Sequence, residues 1–253
     1  GTKEKKVNLT VELPAAVLDQ NADHALQQLK DKQRGGKQTG LMMGRRLDAH
    51  ALCRNDGKVF YKNALPNEIP QMSVGLLLDE SGSMCSCDRC TYARSSAIIL
   101  YDFCKALHIP VTVYGHSTSG SSVELYSYAE FESIDNDDKY RMMDIAARGS
   151  NRDGAALRFV AEQLVKRPEE VKILILVSDG QPAAPGYYGS AAEEDLRGIK
   201  QEYRRKGVLF IAAAIGEDKQ NIERIYGDSF MDITDLNQLP VKLTAAVKRH
   251  MRV

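Results

Sequence analysis

Val74-Gly75-Leu76-Leu77-Leu78-Asp79-Glu80-Ser81-Gly82-Ser83-Met84 is the stretch whose reading decides the fold. Its first half has the unbroken apolar character of a strand covered on both faces. Its second half is Asp-x-Ser-x-Ser. This places one carboxylate (Asp79) and two hydroxyls (Ser81, Ser83) on a tight glycine-containing loop at the strand's carboxyl end. The trio has too few charges and ligands to cage calcium. It suits magnesium or manganese, which are held by few protein oxygens and several waters. A second apolar run, Lys172-Ile173-Leu174-Ile175-Leu176-Val177, ends in Ser178-Asp179-Gly180 and repeats the construction.

Working outward, strands and helices alternate from Ser73 onward. The pattern predicts strands at 73–80, 110–114, 172–178, 208–216 and 230–233, with helices at about 89–108, 154–166, 191–206 and 236–251. Val123–Tyr128 alternates apolar with polar residues, as an edge strand with one solvated face does. Continuous apolar strands separated by amphipathic helices imply an α/β fold with a mostly parallel sheet covered on both faces and one antiparallel edge strand. Ligands of such sheets sit outside the carboxyl ends of strands where the strand order reverses, and Asp79 and Asp179 are both expected on that rim.

The first seventy residues read differently. Leu13–Lys32 is glutamine-rich with helical spacing, and Gly35-Gly36 stops it. Residues 45–52 read as a short helix, Asn55-Asp56-Gly57 as a turn and 58–62 as a strand. Residues 1–69 are therefore expected to form a helical and hairpin extension packed on a main domain at 70–253, being too small to fold alone.

The chain has 253 residues, with 34 basic and 34 acidic. That balance argues against a nucleic-acid partner, and no apolar run is long enough to span a membrane. Five cysteines without a secretion signal point to a reducing cytoplasm. Gly1 is read as an engineering remnant, and the chain as a piece of something longer.

A third loop should complete the cation site, and Gly149-Ser150-Asn151-Arg152-Asp153-Gly154 is the candidate. Either Asn151 supplies an amide oxygen while Asp153 caps the following helix, or Asp153 supplies a carboxylate instead. With only two direct carboxylates the cation stays electron-poor and attracts an incoming acid; a third would make the site structural. Glu80 alternates away from Asp79 and reads as a solvent-facing or capping residue. Cys85, Cys87 and Cys90, with Cys53 or His116, could hold zinc, but free thiols fit the irregular spacing better. Cys104 lies on a helix's apolar stripe and reads as core. Tyr187 and Tyr188 overhang the site, either as partner contacts or folded onto the domain's own surface.

These motifs resemble the metal-ion-dependent adhesion site (MIDAS) of von Willebrand factor A (VWA) domains, where the middle loop usually offers threonine rather than Asn151. Asp79–Met84, Asn151-x-Asp153-Gly154-x-Ala156-Leu157, Arg167-Pro168-Glu169 and Leu176–Gly180-x-Pro182 are similar to two bacterial relatives. These are the CobT-type cobaltochelatase subunit and the NorD-type nitric oxide reductase activation protein. Gly44–Asp48 with Val59-Phe60 resembles the lead-in of the same group.

The resemblance implies a three-layer αβα Rossmann-like fold. It also implies Mg²⁺ or Mn²⁺ held by residues among Asp79, Ser81, Ser83, Asn151, Asp153 and Asp179, and a non-enzymatic adaptor role. The partners it implies are a MoxR-like AAA+ ATPase or a client metalloenzyme, engaged through an acidic residue at the metal. The rival is a magnesium-dependent phosphohydrolase with Asp79 as nucleophile. That chemistry needs a second acid two residues on, where this chain has Ser81.

Overall fold

The computed structural model describes residues 36–41, 43, 46–52, 58–64, 71–133, 137–180, 182–214, 219–233, 238, 241–242 and 245. In chain order the elements are β1 (Gly36–Leu41), β2 (Arg46–Leu47), β3 (Phe60–Ala64), β4 (Met72–Asp79), a 3-10 turn (Gly82–Asp88) and α1 (Arg89–Ala106). Next come β5 (Val111–Ser119), β6 (Ser122–Ala129), α2 (Asp138–Arg141), α3 (Asp153–Val165), β7 (Val171–Ser178), β8 (Ala183–Ala184) and β9 (Tyr187–Tyr188). The last are α4 (Gly189–Arg205), β10 (Val208–Ala214), α5 (Lys219–Tyr226) and β11 (Phe230–Asp232).

The main sheet has six strands in the order β11-β10-β7-β4-β5-β6. All neighbours are parallel except β5 and β6, which form the antiparallel edge pair expected from the alternation at 123–128. Every residue of β4 is buried, which is why its sequence shows no alternation. Val74, Leu76 and Leu78 pack on one side with Ala93, Ala97 and Cys104 of α1. Leu77 packs on the other with Leu157, Val160 and Leu164 of α3 and Leu196 and Ile199 of α4. Gly75 permits the closest part of this packing, because a β-carbon there would lie 2.7 Å from Val160 Cγ1 and 3.1 Å from Leu164 Cδ1. Helix α3 therefore crosses tightly over β4, and its amino end is brought to the end of that strand.

Chain order locates the crevice. From β4 the chain leaves through α1 on one face, and from β7 it leaves through α4 on the other. The two strands are neighbours, with Leu78 beside Val177. The switch point therefore lies just beyond Asp79 and Ser178, as the two strand-end motifs require.

Amino-terminal to this, β1, β3 and β2 form a small antiparallel sheet. The strand expected at 58–62 is β3. The short helix expected at 45–52 is not formed in its described part: Arg46 and Leu47 pair with Tyr61 and Phe60, and a turn follows at 49–52. Partners supplied by β3 override a weak helical pattern. The helix expected at Leu13–Lys32 and the turn at Asn55–Gly57 lie outside the described residues, as does most of the closing helix at 236–251. No helix among the described residues is long and apolar enough to cross a membrane.

Candidate metal centre

Asp79 is the last residue of β4, and its carboxylate is the hub of the site. Oδ1 accepts the backbone N–H of Ser81 at 2.8 Å, which folds the loop back over the strand end. Oδ2 accepts from Asn151 Nδ2 at 2.7 Å and from Ser178 Oγ at 3.0 Å. One carboxylate thus ties together three loops from β4, from the start of α3 and from the end of β7. The Ser81 and Ser83 hydroxyls lie 2.8 Å apart. Adjacent vertices of an octahedron with metal–oxygen bonds of about 2.1 Å stand about 3 Å apart, so this spacing suits two neighbouring ligands of a magnesium-sized ion. Asp179 follows Ser178 directly and is buried. Gly180 then turns the chain away at φ +73°, packed under Ile222 of α5.

Glu80, expected to face solvent or to act as a cap, is buried. It accepts hydrogen bonds from Tyr128 Oη at 2.5 Å and Arg148 Nε at 2.7 Å. Its backbone carbonyl also accepts the Arg148 N–H at 2.6 Å, and Gly82 N–H donates to Gly149 O at 2.7 Å. Because β4 ends at Asp79, the alternation no longer fixes the face that Glu80 takes. Glu80 instead turns onto the β5–β6 side, where Gly115 leaves room for its carboxylate. Arg148 also lies 4.1 Å over the Tyr126 ring. This clamp carries the middle loop to the loop that follows Asp79, and a second tie joins Thr118 and Ser150 by reciprocal backbone hydrogen bonds. Gly149 is required there, since a β-carbon would collide with the Thr118 carbonyl.

The middle loop delivers both candidate ligands, and of the two roles considered for Asp153 the capping one is not seen. Helix α3 begins at Asp153 itself, and no side chain caps it. The Asp153 carboxylate turns inward, where His116 Nε2 stands 3.0 Å from its Oδ1, in ion-pair contact but out of line for a hydrogen bond. An acid in the first turn still complements the helix dipole. Asn151 must face Asp79 with its amide nitrogen, which leaves Oδ1 buried without a hydrogen-bond partner. His116 was singled out only as a possible fourth zinc ligand. It belongs to this site because β5 sets it in register beside Asp79, a placement that spacing along the chain cannot reveal. A histidine in the strand Val111–Ser119, which pairs with the strand ending in Asp79, was the available signal.

The electrostatics favour a cation. Burial, then the charge of Asp153, raises the Asp79 pKa above the usual carboxylate range, against the lowering effect of His116 and Ser81. Burial disfavours the charged form of His116, but contact with Asp153 and the charges of Asp79 and Glu80 outweigh it and raise its pKa. Burial, with Asp153, Tyr187 and Asp79 nearby, lifts the Tyr226 phenol well above its ordinary value. Crowded buried carboxylates and an acceptor oxygen without a donor are what a divalent ion would relieve. No three His, Cys, Asp or Glu side chains among the described residues gather as a ligand group, so an ion here would need hydroxyl and amide oxygens beside the carboxylates.

Cys85 and Cys90 are free, exposed and half-buried respectively, and the Cys90 thiol faces the Ile145 carbonyl. The side chain of Cys87 and all of Cys53 lie outside the described residues. Cys104 is core, as expected. The two overhanging tyrosines divide. Tyr187 folds down to donate to Asp195 Oδ2 at 2.8 Å, while Tyr188 is 69% exposed at the end of the β8–β9 hairpin.

Comparison with known proteins agrees with this geometry. Residues 138–251 match the family model of the cobalamin biosynthesis protein CobT VWA domain. YojO of Bacillus subtilis is 25% identical over 206 residues, 76% of this chain. NorD of Brucella suis is 34% identical over 97 residues, 37% of this chain. The chain is similar to VWA domains of the CobT/NorD group. The matched segments span 32% of YojO and 15% of NorD, so this A domain corresponds to a minor part of each relative. Among solved structures, the manganese-loaded TRAP protein of Plasmodium vivax shares the fold with a TM-score of 0.51. The match is 16% identical and covers 68% of this chain and 72% of that one.

Proposed function

We propose that this A domain is a metal-dependent adaptor. Mg²⁺ or Mn²⁺, held by Asp79, Ser81, Ser83, Asp179 and the Asn151 loop, presents an open vertex to an acidic side chain of a partner protein. The partner is a MoxR-like AAA+ ATPase or its client metalloenzyme, in cytoplasmic metal insertion or metalloenzyme maturation. The carrying observation is the hub at Asp79, which gathers hydroxyl and amide groups from three loops at the sheet's switch point. Kinship with CobT and NorD supports the pathway class, and a manganese-loaded structural neighbour supports the type of ion.

The adaptor reading is favoured over a phosphohydrolase. Position 81 is serine, with no acid to serve the leaving group. A cation-bridged acid is directional but weak at a wet rim unless surrounding surface adds to it. A MoxR-like ATPase should therefore co-purify with this protein in magnesium, and should be released by EDTA and by Asp79→Ala. Retention under both treatments would place the interface elsewhere.

A further inference from the structure

The contact between His116 and Asp153 is held by backbone on both sides. His116 sits in β5 beside Asp79, and two residues on, Thr118 is hydrogen-bonded to Ser150 of the middle loop. Asp153 is fixed at the start of α3, and the helix is pressed against β4 at Gly75. The ring of His116 is completely buried, and neither of its nitrogens makes a hydrogen bond in line. The charged groups that act on it are Asp153, Asp79 and Glu80. Glu80 is already engaged by Arg148 and Tyr128, and Asp79 by three donors. The contact that remains to the ring is Asp153 Oδ1, at 3.0 Å.

We propose that His116 is a positioning residue that draws the Asp153 carboxylate away from the cation, leaving two carboxylates and the Asn151 amide oxygen as the anionic and neutral donors. The inference rests on the metal-site reading above and specifies how that site is tuned. A divalent ion with two carboxylates is formally neutral and still accepts a partner's acid. A third direct carboxylate would make the centre anionic, tighten the ion and repel that acid. His116 therefore trades cation affinity for affinity toward the docking side chain. An ordinary supporting residue behaves oppositely, since its loss costs about 10- to 100-fold in metal affinity.

Titration of the full chain with Mn²⁺ separates these roles. Electron paramagnetic resonance of free Mn²⁺ gives the dissociation constant, and water-proton relaxation counts the waters on the bound ion. His116→Leu, which fills the space without a polar contact, is expected to bind Mn²⁺ about tenfold more tightly and with one water fewer, as an added carboxylate ligand requires. His116→Gln, which keeps an amide donor toward Asp153, is expected to behave as wild type. Asp153→Asn with His116 intact is expected to stay within about threefold of wild type, with an unchanged water count.

Weaker Mn²⁺ binding by H116L, or an unaltered water count in it, would overturn the proposal. So would a loss of about tenfold or more in D153N with a water gained, because Asp153 would then already be a ligand. If H116L fails to fold, D153N decides alone. Absence of Mn²⁺ uptake by the wild-type chain would sink the metal-site reading itself, whereas uptake with the wrong response in the variants sinks only the role of His116.

Discussion

Removing Arg148 should destabilise the domain far more than its position at the surface suggests. The Glu80 side chain it engages is fully buried, while Arg148 itself is 37% exposed. Breaking a buried ion pair by deleting one partner costs about 3–5 kcal/mol, because a buried charge is left behind. Here water reaches the guanidinium side and Tyr128 continues to donate to Glu80, so about 2–3 kcal/mol is expected for Arg148→Ala. In a chain of this size that lowers the melting temperature by about 5–10 °C. Glu80→Gln keeps the shape and an acceptor for Tyr128 and leaves Arg148 free to hydrate, so it should cost about 1–2 kcal/mol. The double variant should cost less than the sum of the two, with a coupling of about 1 kcal/mol or more. Urea denaturation in EDTA, followed by circular dichroism, measures all three without any contribution from metal. A cost below about 0.5 kcal/mol for R148A, or strict additivity of the pair, would refute the clamp.

Gly75→Val should destabilise by about 1–3 kcal/mol, because the new methyl groups enter space held by Val160 and Leu164; a melting temperature equal to wild type would mean that α3 does not pack as closely as described. Acid sensitivity should depend on Glu169. Its hydrogen bonds from Arg167 hold its carboxyl below the usual range, so as pH falls below about 4.3 the unfolded chain takes up the proton first and stability is lost down through the folded value. Urea melts between pH 7 and 3 should show a shallower acid limb for Glu169→Gln, and an unchanged slope would count against the pair.

How far the chain could be read in advance followed from where the information lies. The strands β4, β7 and β10 were legible because strands covered on both faces must be apolar throughout, and their order of appearance with helices between them implies a parallel sheet. Asp79, Ser81, Ser83 and Asp179 could be placed at the strand ends because each follows directly from an apolar strand. Glu80 was misread, since alternation predicts a face only while the strand continues, and what buries it is Arg148, 68 positions away. His116 was hidden for a related reason: its neighbour Asp79 lies across the sheet rather than along the chain. The α5 helix has only eight residues, short enough to be taken for a connection, although Ile222, Ile225 and Tyr226 line its buried side. Asp153 was left open as a helix cap or a carboxylate donor, and its contact with His116, which lies across the sheet, could not be seen. At Arg46-Leu47 a local helical pattern yielded to pairing with β3, as short segments with strand neighbours do.

Isothermal calorimetry of the wild-type chain with Mn²⁺, beside Asp79→Ala, tests the central claim most directly. One ion should bind per chain, and at a hundred times its dissociation constant it should add about 2.7 kcal/mol to the folding stability, with neither effect in D79A. Equal heats from both proteins, or none from the wild type, would contradict a cation centre built on Asp79.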